Sequence, residues 1–320
     1  MFKTIFAVFA LILFNFAAAF AQEVPAPIQP NLETILLEAQ KQTEFYRETF
    51  RNLIADETKT FEEFDKNGNS GERTSVKSNF LVYQSGKDAK VTSELRNVVE
   101  VDGKPVPNSQ KRSGEFLAEL EKASTLEKEL QKLQNEGSKY DKTIEVYGLT
   151  LEEGTVLYPK IRPYFDFKLL GTENFGGSQV YVVGYQQTKK SPYLILNGKE
   201  TVSGEPAFNF QLDIPGALKN NDVFLRGKLW IDAQTFQLRR EQQELTVSAP
   251  DPVVMLSTNF EYQTSDYGIL VPKSISVIFY ELKKQKSDSR FVPVKDSSVN
   301  LEYSKFRQTN VEVKILDDVE

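Results

Sequence analysis

The chain has no histidine and no cysteine, one tryptophan and two methionines. Without histidine or cysteine it cannot assemble a Ser-His-Asp or Cys-His nucleophile, and it lacks the usual ligands of zinc, copper and haem sites. The commonest general acid–base residue is missing too. Only carboxylate or lysine chemistry stays open to an enzyme, so a protein without catalysis, metal or cofactor is the expectation. With no disulfides available, the chain must be held together by burial. Positive charge is also in short supply, 39 Lys+Arg against 45 Asp+Glu for a net −6. That balance argues against nucleic acid as a partner and supplies no general pull toward anionic membranes.

Long apolar runs are confined to the N-terminus. MFKTIFAVFALILFNFAAAFAQ has Lys3 as a positive n-region, an apolar core from Thr4 to Phe16, and Ala19-Phe20-Ala21 as a small-x-small cleavage site. Residues 1–21 are expected to be a signal peptide cleaved after Ala21, giving a periplasmic or otherwise exported protein. A retained membrane anchor is the competing reading. No cysteine follows that site, which excludes a lipid-anchored lipoprotein. No later segment approaches about 18 consecutive apolar residues, so no transmembrane span is expected after cleavage.

Residues 22–30, QEVPAPIQP, form a proline-punctuated leader, and 31–320 are expected to be one domain. Asn31 can cap a helix whose stripe of Leu32, Ile35, Leu36, Ala39, Tyr46, Phe50, Leu53 and Ile54 continues to about Ala55. Strand patterns follow in TKTFEEF, SVKSNFLVYQ and KVTSELRNVVEVDGKPV, with Asp102-Gly103 as a tight hairpin turn. A helical insertion at about 110–137 carries the narrow stripe Phe116, Leu120, Ala123, Leu130 and Leu133. From about Tyr164 onward strand patterns recur at short spacing, PAFNFQL among them, which suggests a large antiparallel sheet or barrel.

Alternation along these strands is one-sided. Val254, Leu256, Thr258, Phe260 and Tyr262 share one face of their strand; Ile269, Val271, Ile275, Val277 and Phe279 share one face of the next. In GKLWIDAQTFQLRREQQEL, with the residues just before it, Leu225, Leu229 and Ile231 point one way; Arg226, Lys228 and Asp232 point the other, toward solvent, and Trp230 lies on that outward side. Such half-wet strands belong to an antiparallel sheet covering something apolar. Arg239, Arg240, Glu241 and Glu244 put charge on both faces of one strand, which breaks the uncharged band of an outer-membrane barrel.

Several motifs invite chemistry and are better read as structure. DKNGNSGERTSV spaces Asp65, Asn67 and Asn69 like a calcium loop but has Ser70 and Val76 where glycine and glutamate are required, so Asn67-Gly68 is read as a hairpin turn. QSGK and NGKE lack the rest of a phosphate loop. Glu152 and Glu153 are adjacent, so on a strand they face opposite ways. KKQK, Lys283 to Lys286, is read as a solvated loop.

Three segments together resemble a known family. FDFKLLGTENFGGSQVYVVGYQQ, GKLWIDAQTFQLRREQQEL and NFEYQTSDYGILVPKSISVIF are similar, in order and spacing, to successive hairpins of bacterial outer-membrane lipoprotein-sorting and carrier proteins. The resemblance covers roughly Phe165 to Phe279. It implies an α+β, mainly β fold: a large curved antiparallel sheet forming an incomplete barrel, with the N-terminal amphipathic helix and the helical insertion packed on it. It also implies lipid or lipoprotein acyl chains as partners, held in the concave apolar face. The lining expected from alternation is Leu225, Leu229, Ile231, Val254, Leu256, Phe260, Tyr262, Ile275, Val277 and Phe279. The alternatives are an envelope protein-interaction or sensor module with a filled cavity on the same scaffold, and a carboxylate-based hydrolase. This chain is longer than a minimal carrier, and the carrier's lid-locking arginine has no counterpart that can be aligned.

Overall fold

A computed structural model describes residues 30–85, 91–109, 137, 139, 155–197, 207–248, 251–285 and 290–308. Helix α1 (Leu32–Thr49) is followed by β1 (Leu53–Phe64), β2 (Ser70–Ser85), β3 (Val91–Val101) and the short β4 (Lys104–Pro105). After one 3-10 turn at Arg162–Tyr164 come β5 (Phe165–Phe175), β6 (Ser178–Gln187), β7 (Leu194–Leu196) and β8 (Phe208–Phe210). The chain then runs through β9 (Val223–Asp232), β10 (Leu238–Val247), β11 (Val253–Thr264), β12 (Leu270–Lys284) and β13 (Phe291–Gln308). The expected signal peptide and the helical insertion at about 110–137 fall almost wholly outside the described residues.

Eleven strands form one sheet in the order β4-β3-β2-β1-β13-β12-β11-β10-β9-β6-β5. Every neighbouring pair is antiparallel. The sheet ends on β4 and β5, so it is not closed. Flat, it would be roughly 50 Å wide at about 4.8 Å per strand, while the 18 residues of α1 span only about 27 Å. Yet Phe80 of β2, Phe61 of β1, Val299 of β13, Ile275 of β12, Leu229 of β9 and Tyr185 of β6 all belong to one buried core. One core can take in so many strands only if the sheet curls around it. Register shifts interrupt most of the ladders and supply the bend. The architecture is an incomplete, mainly β barrel, as the family resemblance implies.

Helix α1 covers the inner face. Ile35, Leu36, Ala39, Tyr46 and, just beyond the helix, Phe50 are buried, and the Tyr46 ring meets Tyr262 of β11 edge-on at 5.8 Å. The helix stops earlier than its stripe predicts. Phe50 N–H still donates to the Tyr46 carbonyl, but Asn52 has φ +52°, a left-handed geometry that asparagine tolerates and that ends helices. Leu53 and Ala55 therefore enter β1, where alternate positions still point them into the core. No helix of the described residues is long and apolar enough to cross a membrane.

The turns match their chemistry. Asp102 and Gly103 have φ +48° and +75°, the positive pair that a two-residue hairpin turn needs. Asp65, in the calcium-like segment, accepts the backbone N–H of Asn67 and Asn69 on Oδ1 at 2.8 and 2.9 Å; the carboxylate closes the β1–β2 hairpin. Lys283 and Lys284 end β12 instead of lying in a loop. The segment PAFNFQL does not join the large sheet: β8 pairs in parallel with β7 as a separate ribbon.

Candidate functional site

The inner face gathers nine of the ten expected lining residues into one apolar cluster. Leu225, Leu229, Ile231, Leu256, Phe260, Ile275 and Val277 are buried in it, and Tyr262 and Phe279 pack against it. Val254 lies elsewhere. A bulge shifts the register so that Leu245 faces Leu256 while Thr246 faces Val254. Met255 is the extra residue, and it and Val253 turn into the core instead. Period-two counting cannot anticipate such a shift, because the bulge depends on the partner strand.

On the outer face Trp230 packs with Val180 and Val182, and Phe175 lies against them. Its Nε1–H donates to Glu173 at 2.6 Å, and the Arg240 guanidinium stacks over the indole at 4.8 Å. Lys228 is exposed and Arg226 pairs with Glu244 at 2.8 Å. Asp232 departs from its expected place in solvent and is buried. Its carboxylate accepts the backbone N–H of Gln234 and Thr235, both at 3.0 Å, and Arg239 Nε–H at 3.1 Å. Burial raises its pKa, but those donors outweigh burial and hold it below the usual aspartate value. An aspartate heading a D-x-x-T turn is a capping signal that the sequence already contained.

Among the described residues, two clusters around buried charged side chains sit on the inner face. On β10, Glu241 and Gln243 share the inward side with Leu245. Glu241 Oε1 accepts the Tyr185 hydroxyl and Gln243 Nε2–H, each at 3.0 Å. Burial pushes the Glu241 pKa up to about 7, against the pull of these two donors. The Tyr185 phenol, buried beside this carboxylate, is raised as well and stays protonated. Gly227 stands directly opposite both Tyr185 and Gln243. A Cβ there would meet the Gln242 carbonyl and, at 2.5 Å, the Tyr185 hydroxyl, so only glycine lets the phenol reach Glu241.

The second group lies across β1 and β3. Glu57 and Lys59 are buried, and Arg96 Nε–H donates to both Glu57 oxygens at 2.8 and 3.0 Å. The Arg96 guanidinium also stacks on Phe80 at 4.9 Å. Burial pushes the Glu57 carboxyl up, but Arg96 and then Lys59 outweigh it, so it stays below the ordinary glutamate value. Tyr303 faces Glu57 across the β1–β13 ladder. The Tyr46 phenol of α1 is raised by burial first, then by Tyr262 and Glu94, so the end of the covering helix meets this polar group. Neither group was visible as a site in the sequence. Counting inward by twos from Leu245 or Leu53 finds Gln243, Glu241 and Glu57, but charged residues read by default as solvated.

A cavity of about 560 Å³ opens beside the β7–β8 ribbon, where Leu194, Leu196, Leu212, Ile214 and Val223 are joined by Gln187 and Lys190. A second, of about 500 Å³, is bordered by charged residues including Glu261, Asp266, Lys273, Glu302 and Lys305. Among the described residues no group of three or more acidic side chains is placed to hold a metal ion. Glu57 and Glu241 stand on strands separated by three others, each engaged by its own donors.

No family model matches the sequence, and no curated protein matches it. Among solved structures, the chain is similar to a DUF1329 family protein from Desulfovibrio piger, with TM-score 0.37 and 11% identity over 88% of this chain and 94% of that one. It is similar to a LolA superfamily protein from Nitrosomonas europaea, with TM-score 0.35 and 10% identity over 88% and 94%. A third likeness is to the Mycobacterium tuberculosis lipoprotein LppX, with TM-score 0.25 and 12% identity over 89% and 100%. These are likenesses of chain path at low identity; the incomplete-barrel assignment rests on the strand order and the one-sided core.

Proposed function

We propose that this is an exported envelope protein that takes acyl chains, from a lipid or a lipoprotein, onto the inner face of the sheet, with no catalytic step. The observation that carries the reading is a one-sided apolar lining of nine predicted residues under one short amphipathic helix. Occupancy requires α1 to give way. Its buried stripe of Ile35, Leu36, Tyr46 and Phe50 holds the cover by about 1.5–3 kcal/mol per large side chain. A sixteen-carbon acyl chain gains about 0.8 kcal/mol per buried methylene, roughly 12 kcal/mol in all. The two terms are of similar size, so exchange of helix for ligand is energetically open.

The packing itself favours a second reading. Leu225, Leu229 and Ile231 are each 0% exposed, so with the helix in place this part of the inner face is filled by side chains. On that reading the scaffold is a protein-interaction or sensor module, and its outer surface does the work. Uptake of a fluorescent fatty acid separates the two. Saturable uptake, lost when Leu229→Glu puts charge on the inner face of an otherwise folded protein, supports the carrier; absence of uptake supports the module.

A further inference from the structure

Across β6, β9 and β10 the inner face carries a file of polar side chains that a purely apolar lining does not require. Gln187 borders the 560 Å³ cavity. Both ends of its amide are engaged: Oε1 accepts Leu225 N–H at 3.0 Å and Nε2–H donates to the Lys189 carbonyl at 2.9 Å. Further along, Tyr185 of β6, Gly227 of β9 and Gln243 of β10 stand in one row. Glu241 receives the donors of both Tyr185 and Gln243. One atom is left over. Gln243 is 2% exposed, and its Oε1 is buried without a hydrogen-bond partner among the described residues.

An orphaned buried acceptor is costly and rare. Here it lies in a wall where the neighbouring polar atoms are paired, in the row next to a side chain that borders a cavity. We propose that Gln243 Oε1 is the recognition point for an N–H or O–H donor at the polar end of an acyl ligand, whose amide or hydroxyl head enters beside Gln187 and whose chain runs along Leu225 and Leu229. The inference rests on the acyl-binding reading and adds a choice of head group to it. An ester or hydrocarbon end brings no donor and leaves the oxygen bare.

The test is equilibrium binding of oleamide, oleyl alcohol and methyl oleate, by displacement of a fluorescent acyl probe, to the wild-type protein and to Gln243→Leu and Gln243→Met. The methyl ester keeps the chain but has no donor, so ratios to it cancel the contribution of the tail. The expected result is that a donor-to-ester affinity ratio falls about tenfold in both variants, the worth of one hydrogen bond to a buried acceptor, while the ester binds as before. Collapse for oleamide alone assigns an amide head, and for oleyl alcohol alone a hydroxyl head. Unchanged ratios in variants that still bind methyl oleate overturn the head-group site and leave the acyl reading standing. Failure of the wild-type protein to bind the probe or any of the three overturns both.

Discussion

At Glu241 the inner face holds a carboxyl whose titration reports on its burial. Its pKa in the folded protein is about 7 against 4.5 for the free group, so the folded state binds the proton more tightly than the unfolded chain. The stability this contributes is fully present below about pH 4.5 and is lost as pH rises through about 7, a change on the order of 3 kcal/mol. Glu241→Gln removes the titrating group while keeping an acceptor for Tyr185 and Gln243. Denaturant unfolding at pH 5, 6, 7 and 8 should show wild-type stability falling with pH and a flatter profile in the variant. A wild-type profile that stays flat or rises across this window contradicts the burial of this carboxyl. Glu57 has the opposite sign: its lowered pKa contributes stability above its unfolded value that is lost as the pH falls. Removing its guanidinium partner with Arg96→Met leaves the buried carboxylate with only Lys59 and Tyr303 beside it, expected to cost up to about 3–5 kcal/mol in the same assay at pH 7. A loss below about 1 kcal/mol would place that pair in solvent instead.

The helix and the strands differ in how much of them the sequence discloses. Alternation located β9 through β12 and most of their inward side chains, because a one-sided apolar face fixes register strongly. The start of α1 and its stripe were equally legible. Its end was not, because Leu53 and Ile54 fit a helical spacing as well as a strand, and only Asn52 marks the break. Val254 was misplaced by a bulge that belongs to the β10–β11 pair, and β8 by its parallel pairing with a segment of three residues. The inward Glu241 and Glu57 were hidden by their charge, although their strand positions were countable. If acyl chains bind on the inner face, α1 must move. Replacing Tyr46 and Tyr262, whose ring centroids lie 5.8 Å apart, by cysteine and joining them with a short bis-maleimide should cut fatty-acid uptake well below that of the same double variant left unlinked. Uptake that survives the link assigns the ligand another entrance. Ile35→Ala, which empties a fully buried position beneath the helix, should destabilise the protein by about 2–5 kcal/mol in thermal or denaturant unfolding.

For the whole molecule, the sheet is built mostly from consecutive hairpins; β6 pairs with β9 past the separate β7–β8 ribbon, and β1 pairs with β13, which brings the two ends of the domain side by side. That join makes the curled inner face continuous from β2 to β6, and the lack of a bond between β4 and β5 keeps the barrel open. On the acyl-binding proposal, the one-sided apolar part of this face holds a chain-like ligand. The central claim is that the inner face accepts acyl chains, and the most direct measurement is mass spectrometry of lipid extracted from gently purified, full-length protein, paired with titration by a fluorescent fatty acid. The account predicts an acyl-bearing species in stoichiometric amount, or in its absence saturable uptake of the probe. Repeated preparations with no bound lipid and no uptake would contradict it.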